Sequence, residues 1–229
     1  INSLSFLQKK AFHGTLGIGL ISNNINSYFN IFNSHFYYTG KNLGEQKIVL
    51  NDGLTKKSIN LKLNNNNSEI INLKDYFNYD QEIKIISCRI YNLNQKFYVP
   101  YFYTTIENNK NNVSLLHSSS LGNSYFVNSA TFKPEMFFKK NILNEIELIL
   151  MTLFPFKKQT SNYYEVFLKN SKNKYIQSFK IKFWGDVFRF SFNGKVHDLS
   201  DNEYYRIEIK GPTCSNPYIL LNSQTLFHI

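Results

Sequence analysis

Apolar and polar residues alternate with a period of two along most of this chain. "KIVLNDGLTKKSINLKL", from Lys47 to Leu63, places Ile48 and Leu50 on one side of an extended segment, and Ile59, Leu61 and Leu63 on one side of the next. Asn60 and Lys62 fall on the opposite side. A half-buried strand reads this way because successive side chains point to opposite faces. Asn51-Asp52-Gly53 between the two runs is turn chemistry, with Gly53 able to take a positive φ. The segment predicts a strand, a tight turn and a second strand.

The same rhythm recurs from Tyr28 to about residue 105 and again from Leu143 to the end, with Asn, Gly, Ser and Asp between short runs. Many short strands separated by turn residues predict a sandwich or barrel. "LKDYF" at residues 73–77 predicts a single helical turn. "EIELIL" within residues 144–154 favours a strand over a helix, because its acids and apolar residues alternate.

The two halves resemble each other. Ile48 and Leu50 answer to Val166 and Leu168, and Ile59, Leu61 and Leu63 answer to Phe179, Ile181 and Phe183. Ile86, Cys88 and Ile90 align with Ile207, Ile209 and Gly211, and "VPYFY" from Val99 aligns with "NPYIL" from Asn216. We therefore expect an all-β protein of two tandem immunoglobulin-like antiparallel β-sandwich domains, at residues 28–105 and 143–229. Residues 1–27 are expected to dock on the first domain, and residues 106–142 to connect the two. The alternative is a single jelly roll spanning the chain, in which strands of both halves share a sheet.

Composition agrees with the pattern. Among the 229 residues are 21 Phe and 16 Tyr but only two alanines, Ala11 and Ala130. Alanine is the best helix former, while aromatic and β-branched residues suit a pleated sheet. A chain rich in Asn, Lys, Ile, Phe and Tyr is also the product of AT-rich coding sequence, which lowers the meaning of any single Asn or Lys. No run of about 18 apolar residues marks a membrane-spanning helix.

The net charge is +10, but the basic residues are scattered and only three are arginine. A diffuse positive field suits an acidic polymer or an anionic surface as well as a nucleic acid. Nucleic acid is disfavoured as a partner, since arginine is the residue that forks onto phosphates and guanine edges. Two cysteines, Cys88 and Cys214, make no disulfide framework, and Cys88 reads as a core residue.

No motif for chemistry stands out. The five histidines (His13, His35, His117, His197 and His228) show no metal-ligand spacing, so no metal and no cofactor is expected. "HSSSLG" at His117 lacks the elbow a nucleophilic serine needs. Asp186, Asp198, Asp201 and Glu203 cluster in sequence, but turns commonly carry such residues for their own backbone bonds.

Consecutive aromatics are the remaining feature. In a strand, neighbours face opposite ways, so the rings of "YFNIF", "FYY" and "FYVPYFY" cannot all be core. Exposed tyrosine offers a flat apolar face with a polar tip. We take Trp184, Tyr37, Tyr38, Tyr101, Tyr103, His35 and His117 as candidate binding residues. The expected function is a non-enzymatic structural or binding module of a cell or particle surface, extracellular or surface-associated. It would recognise a glycan or another protein subunit and could form homo- or hetero-oligomers. The alternative is a viral or phage coat component, and a weaker third is a polysaccharide-acting enzyme using Asp186 and Asp198.

Overall fold

The structure, a computed structural model, describes residues 14–33, 39–40, 44–63, 68–92, 101–120, 130–132, 136–151, 163–182, 187–211, 218–222 and 225–228. The protein is all-β: four antiparallel sheets carry most of these residues. The chain divides into two compact units, residues 1–124 and 125–229.

In the first unit, β1 (Gly14–Ile21), β3 (Gly44–Asn51), β4 (Lys56–Leu63), β6 (Lys84–Asn92) and β9 (Ser119–Ser120) form sheet A in the order β4-β3-β6-β1-β9. Sheet B follows the order β5-β2-β7-β8, from β2 (Ile25–Phe32), β5 (Ser68–Asn72), β7 (Tyr101–Asn108) and β8 (Val113–His117). The two sheets share one core. Ile48, Leu50, Ile86, Cys88 and Ile90 meet Phe29, Ile31, Ile71 and Phe102 inside it. Alternation dictates this, because the partners of these residues along each strand are polar or face outward. The helical turn expected at residues 73–77 is a 3-10 turn at Leu73–Asp75, whose N-cap Asn72 side chain accepts from the Lys74 N–H.

The second unit repeats this strand order. Sheet C runs β14-β13-β16-β10, with β11 also on β16, and sheet D runs β15-β12-β17-β18. These are β10 (Ala130–Phe132), β11 (Phe137–Lys139), β12 (Ile146–Met151), β13 (Tyr163–Asn170), β14 (Tyr175–Lys182), β15 (Val187–Ser191), β16 (Tyr204–Gly211), β17 (Tyr218–Leu221) and β18 (Thr225–His228). A short helix α1 (Lys140–Glu145) precedes β12. The likeness read in the sequence is thus a likeness of topology: β2 to β8 correspond to β12 to β18 in order, and the place of β1 on β6 is taken on β16 by β10 and β11.

Pairing corrects one part of the sequence alignment. Ile48 lies opposite Ile90 and Leu50 opposite Cys88. Val166 lies opposite Ile209 and Leu168 opposite Ile207. Cys88 therefore corresponds to Ile207 rather than Ile209, and Ile90 to Ile209 rather than Gly211. A slip of two residues preserves the in–out pattern, so alternation alone does not detect it.

Two segments also sit differently from the expectation. Within residues 1–27, expected to dock on the first domain, Gly14–Ile21 is an interior strand of sheet A, paired along its whole length with β6. Residues 106–142 hold β8 of sheet B, β9 of sheet A, β10 and β11 of sheet C, and the first half of α1, so both units draw on the segment expected to connect them. A corner made by Ser22, Asn23, Asn24 and Ile25 sends β1 and β2 into opposite sheets, and Ser27 locks it by accepting from the Leu20 N–H at 2.8 Å and donating to the Leu20 carbonyl at 2.6 Å. In an immunoglobulin constant domain the first two strands share a sheet. Among the described residues no strand of one half pairs with a strand of the other, as a jelly roll across the chain requires.

Candidate binding face

The outer face of sheet B carries exposed apolar side chains among mostly uncharged polar ones. Alternation sends Phe29, Ile31, Phe102, Ile71 and Leu116 inward, so their neighbours point outward. Across the sheet, Ile70 lies opposite Asn30, Asn30 opposite Tyr103, and Tyr103 opposite His117. One step along, Asn72, Tyr28, Thr105 and Leu115 form the next row, and Asn26, Glu107 and Val113 the one after. Phe32 packs edge-on against Tyr103, with ring centroids 5.8 Å apart. Phe32, Ile70, Tyr103, Val113 and Leu115 are all exposed, Leu115 at 65%.

Internal bonds order the middle of this face. The Asn30 side-chain amide donates to Thr105 Oγ1 at 2.9 Å and to the Tyr103 carbonyl at 3.3 Å. His117 Nδ1 lies 3.2 Å from the Ser118 carbonyl. Charge is almost absent. The chain carries 26 lysines and arginines, yet no outward position of β2, β5, β7 or β8 among the described residues holds one, and Glu107 is the one carboxylate.

Of the candidate residues, Tyr103 and His117 are direct cross-strand neighbours on this face, and the register puts Tyr101 opposite Phe32. Trp184, Tyr37, Tyr38 and His35 lie outside the described residues. Phe32 ends the run "YFNIF". Ile70, Val113 and Leu115 are not among the candidates, although "SEIIN" and "VSLLH" place apolar residues at both parities and so cannot bury all of them.

The described groups weighed for chemistry lie in turns and in ordinary pairings. Ser118 is buried, and its Oγ accepts from the Phe102 N–H at 3.2 Å. Asp198 sits in a turn with φ 55°, and Asp201 pairs with Lys140 at 3.4 Å. The Glu203 N–H donates to the Ser200 carbonyl at 3.4 Å. Asp186 lies outside the described residues. Cys88 is a free, fully buried thiol whose pKa burial pushes well up, and Cys214 lies outside the described residues. No group of three or more His, Cys, Asp or Glu among the described residues is placed to hold a metal ion. No helix among them is long and apolar enough to cross a membrane.

The fold defines the chain as a tandem β-sandwich protein. It matches no known protein family, no curated protein and no solved structure.

Proposed function

We propose that this chain is a non-enzymatic structural or binding module of a cell or particle surface, extracellular or surface-associated, that joins another protein subunit through the outer face of sheet B. The observation that carries this reading is an exposed, nearly uncharged face in a chain of net charge +10. Contiguous exposed apolar patches mark interaction sites. Depletion of lysine with aromatic enrichment is the composition of an interface core. Exposed Ile70, Val113 and Leu115 beside the rings favour a protein surface over a glycan, which needs hydrogen-bonding groups around each stacked ring. The two sandwiches are immunoglobulin-like by analogy of architecture alone, since β1 and β2 lie in different sheets.

The test is site-specific photo-crosslinking in the native source. A photoreactive residue at Leu115 or Val113 is expected to capture one protein in a discrete adduct that Tyr103→Lys abolishes. The same group at Leu54, exposed on the β3–β4 turn, should capture nothing specific. A glycan array bound through Tyr103, with no protein adduct at Leu115, would overturn the reading.

A further inference from the structure

The outer face of sheet C is the opposite of that of sheet B. Here cations and aromatic rings alternate. Outward positions hold Lys139 on β11, Arg206 and Lys210 on β16, Lys169 on β13, and Lys180 and Lys182 on β14. Glu165 and Glu208 are the two carboxylates facing the same way, so six cations against two anions leave an excess of four. Glu208 is engaged by Lys169 at 2.7 Å.

Three tyrosines on this face each hold an ammonium group. Lys180 lies 4.6 Å from the centroid of Tyr163, Lys169 lies 4.1 Å from that of Tyr175, and Lys139 lies 5.5 Å from that of Tyr204. A cation over a ring is attracted by the negative face of its π-system. Lys169 is closed off by its ion pair with Glu208, but exposed Lys180 and Lys139 are held near the sheet, which lowers the entropy lost when an anion meets them. Outward residues two apart on a strand are about 7 Å apart and neighbouring strands about 5 Å apart, so the result is a lattice of fixed positive charges.

We propose that this face binds a polyanionic polysaccharide. The rings decide between polyanions. A single-stranded nucleic acid gains affinity by stacking bases on open aromatic faces, and here an ammonium occupies a face of each of the three tyrosines. What remains on offer is charge, together with the tyrosine phenols and the exposed Ser178 hydroxyl opposite Phe167, which hydrogen-bond sulfate, carboxylate and hydroxyl groups. The inference does not rest on the sheet B reading, because the two surfaces lie on different sheets of different units.

Binding of the full chain to immobilised heparin (sulfated), hyaluronan (carboxylated), uncharged dextran and single-stranded DNA tests it. Heparin or hyaluronan should bind, dextran should not, and raising salt from about 50 to 300 mM should weaken binding about tenfold or more as the charges are screened. Lys180→Glu with Lys210→Glu should lower affinity about tenfold or more. Lys56→Glu with Lys57→Glu makes the same charge change on β4 of the other unit and should alter affinity by less than about threefold. Equal losses in both variants would overturn the proposal, leaving only a diffuse field. Tighter binding of DNA than of either polysaccharide at the same salt would overturn it as well. All four lysines are exposed, and matching thermal midpoints confirm that the variants are folded.

Discussion

A Cβ placed on Gly17 would lie 2.6 Å from Cζ of Phe102, which comes from the facing sheet. Gly17 sits opposite Cys88 on β6, with its missing side chain directed into the core. Phe102 is fully buried and meets Phe29 edge-on at 5.3 Å. The glycine is thus the gap that a ring fills. Gly17→Ala should destabilise the first unit by about 1–3 kcal/mol through overpacking, although alanine itself suits a strand better than glycine. Chemical denaturation measures the loss. In a double-mutant cycle with Phe102→Leu the two costs should fall short of their sum, because the smaller side chain makes room.

The same pair marks the limit of what the sequence discloses. Short alternating runs were enough to identify β3, β4, β6, β13, β14 and β16, because one face of each is dry and the other wet. β1 was harder. Its outward residues Leu16, Ile18 and Leu20 are buried as well, and its inward positions include glycines, so no wet face gives the strand away. Strand order and the two-residue slip at β16 depend on pairing between distant segments, which alternation does not encode. Of the candidate site, the aromatic half was legible, since consecutive rings must diverge. The aliphatic half was not, because an exposed Leu115 looks like a core leucine until its neighbours across the sheet are known.

Lys169 and Glu208 form an ion pair that solvent barely reaches, at 6% and 5% exposure, although both lie on the outer face of sheet C. The rings of Phe167 and Tyr175, edge to face at 5.4 Å, flank them. The Glu208 hydrogen bond raises the Lys169 pKa above its usual value, against a smaller opposing effect of burial. A raised folded pKa gives stability that is complete below the unfolded value of 10.5 and is lost as pH rises through the folded one. Tyr205 acts in the same direction: burial raises its pKa, while its oxygen accepts from the Ser200 N–H at 2.7 Å. Stability of the second unit should therefore decline above about pH 10.5, and Lys169→Met with Glu208→Met should flatten that decline. Lys169→Ala alone should cost about 2 kcal/mol, less than the ~3–5 kcal/mol of a deeply buried pair, because the cover is one layer of rings.

Asp52 places a second pH dependence at the acid end, in the turn between β3 and β4. Its Oδ1 accepts from the Leu54 N–H at 2.9 Å, the Thr55 N–H at 2.6 Å and the Thr55 hydroxyl at 3.1 Å. Partial burial works against the charge, but these bonds and the charge of Lys84 outweigh it and hold the carboxyl below its usual 3.8. A depressed pKa gives stability present above the unfolded value and lost as pH falls through the folded one. Asp52→Asn keeps acceptor oxygen at that position and removes the charge. At neutral pH it should cost less than about 1 kcal/mol, discounted because the turn is partly solvated. Below about pH 3.8 the gap between Asp52→Asn and the unaltered chain should close, which acid titration of the unfolding midpoint reads directly.

Leu115 and Val113 test whether the sheet B face is a surface in its own right or part of the fold. Both are more than 60% exposed, so neither contributes much to the core, whose side of β8 is held by Leu116. Threonine is β-branched, which suits a strand, and it replaces apolar surface with a hydroxyl open to water. Leu115→Thr with Val113→Thr should leave the unfolding free energy within about 0.5 kcal/mol of the parent per site. Retention on a hydrophobic-interaction column should fall clearly, because the removed surface is accessible to the matrix. Leu116→Thr makes the contrary case on the same strand: it should destabilise the first unit by about 2 kcal/mol or more through a cavity and a buried hydroxyl. If the outward pair proved as costly as Leu116, the face would be structural and the docking role assigned to it would fall.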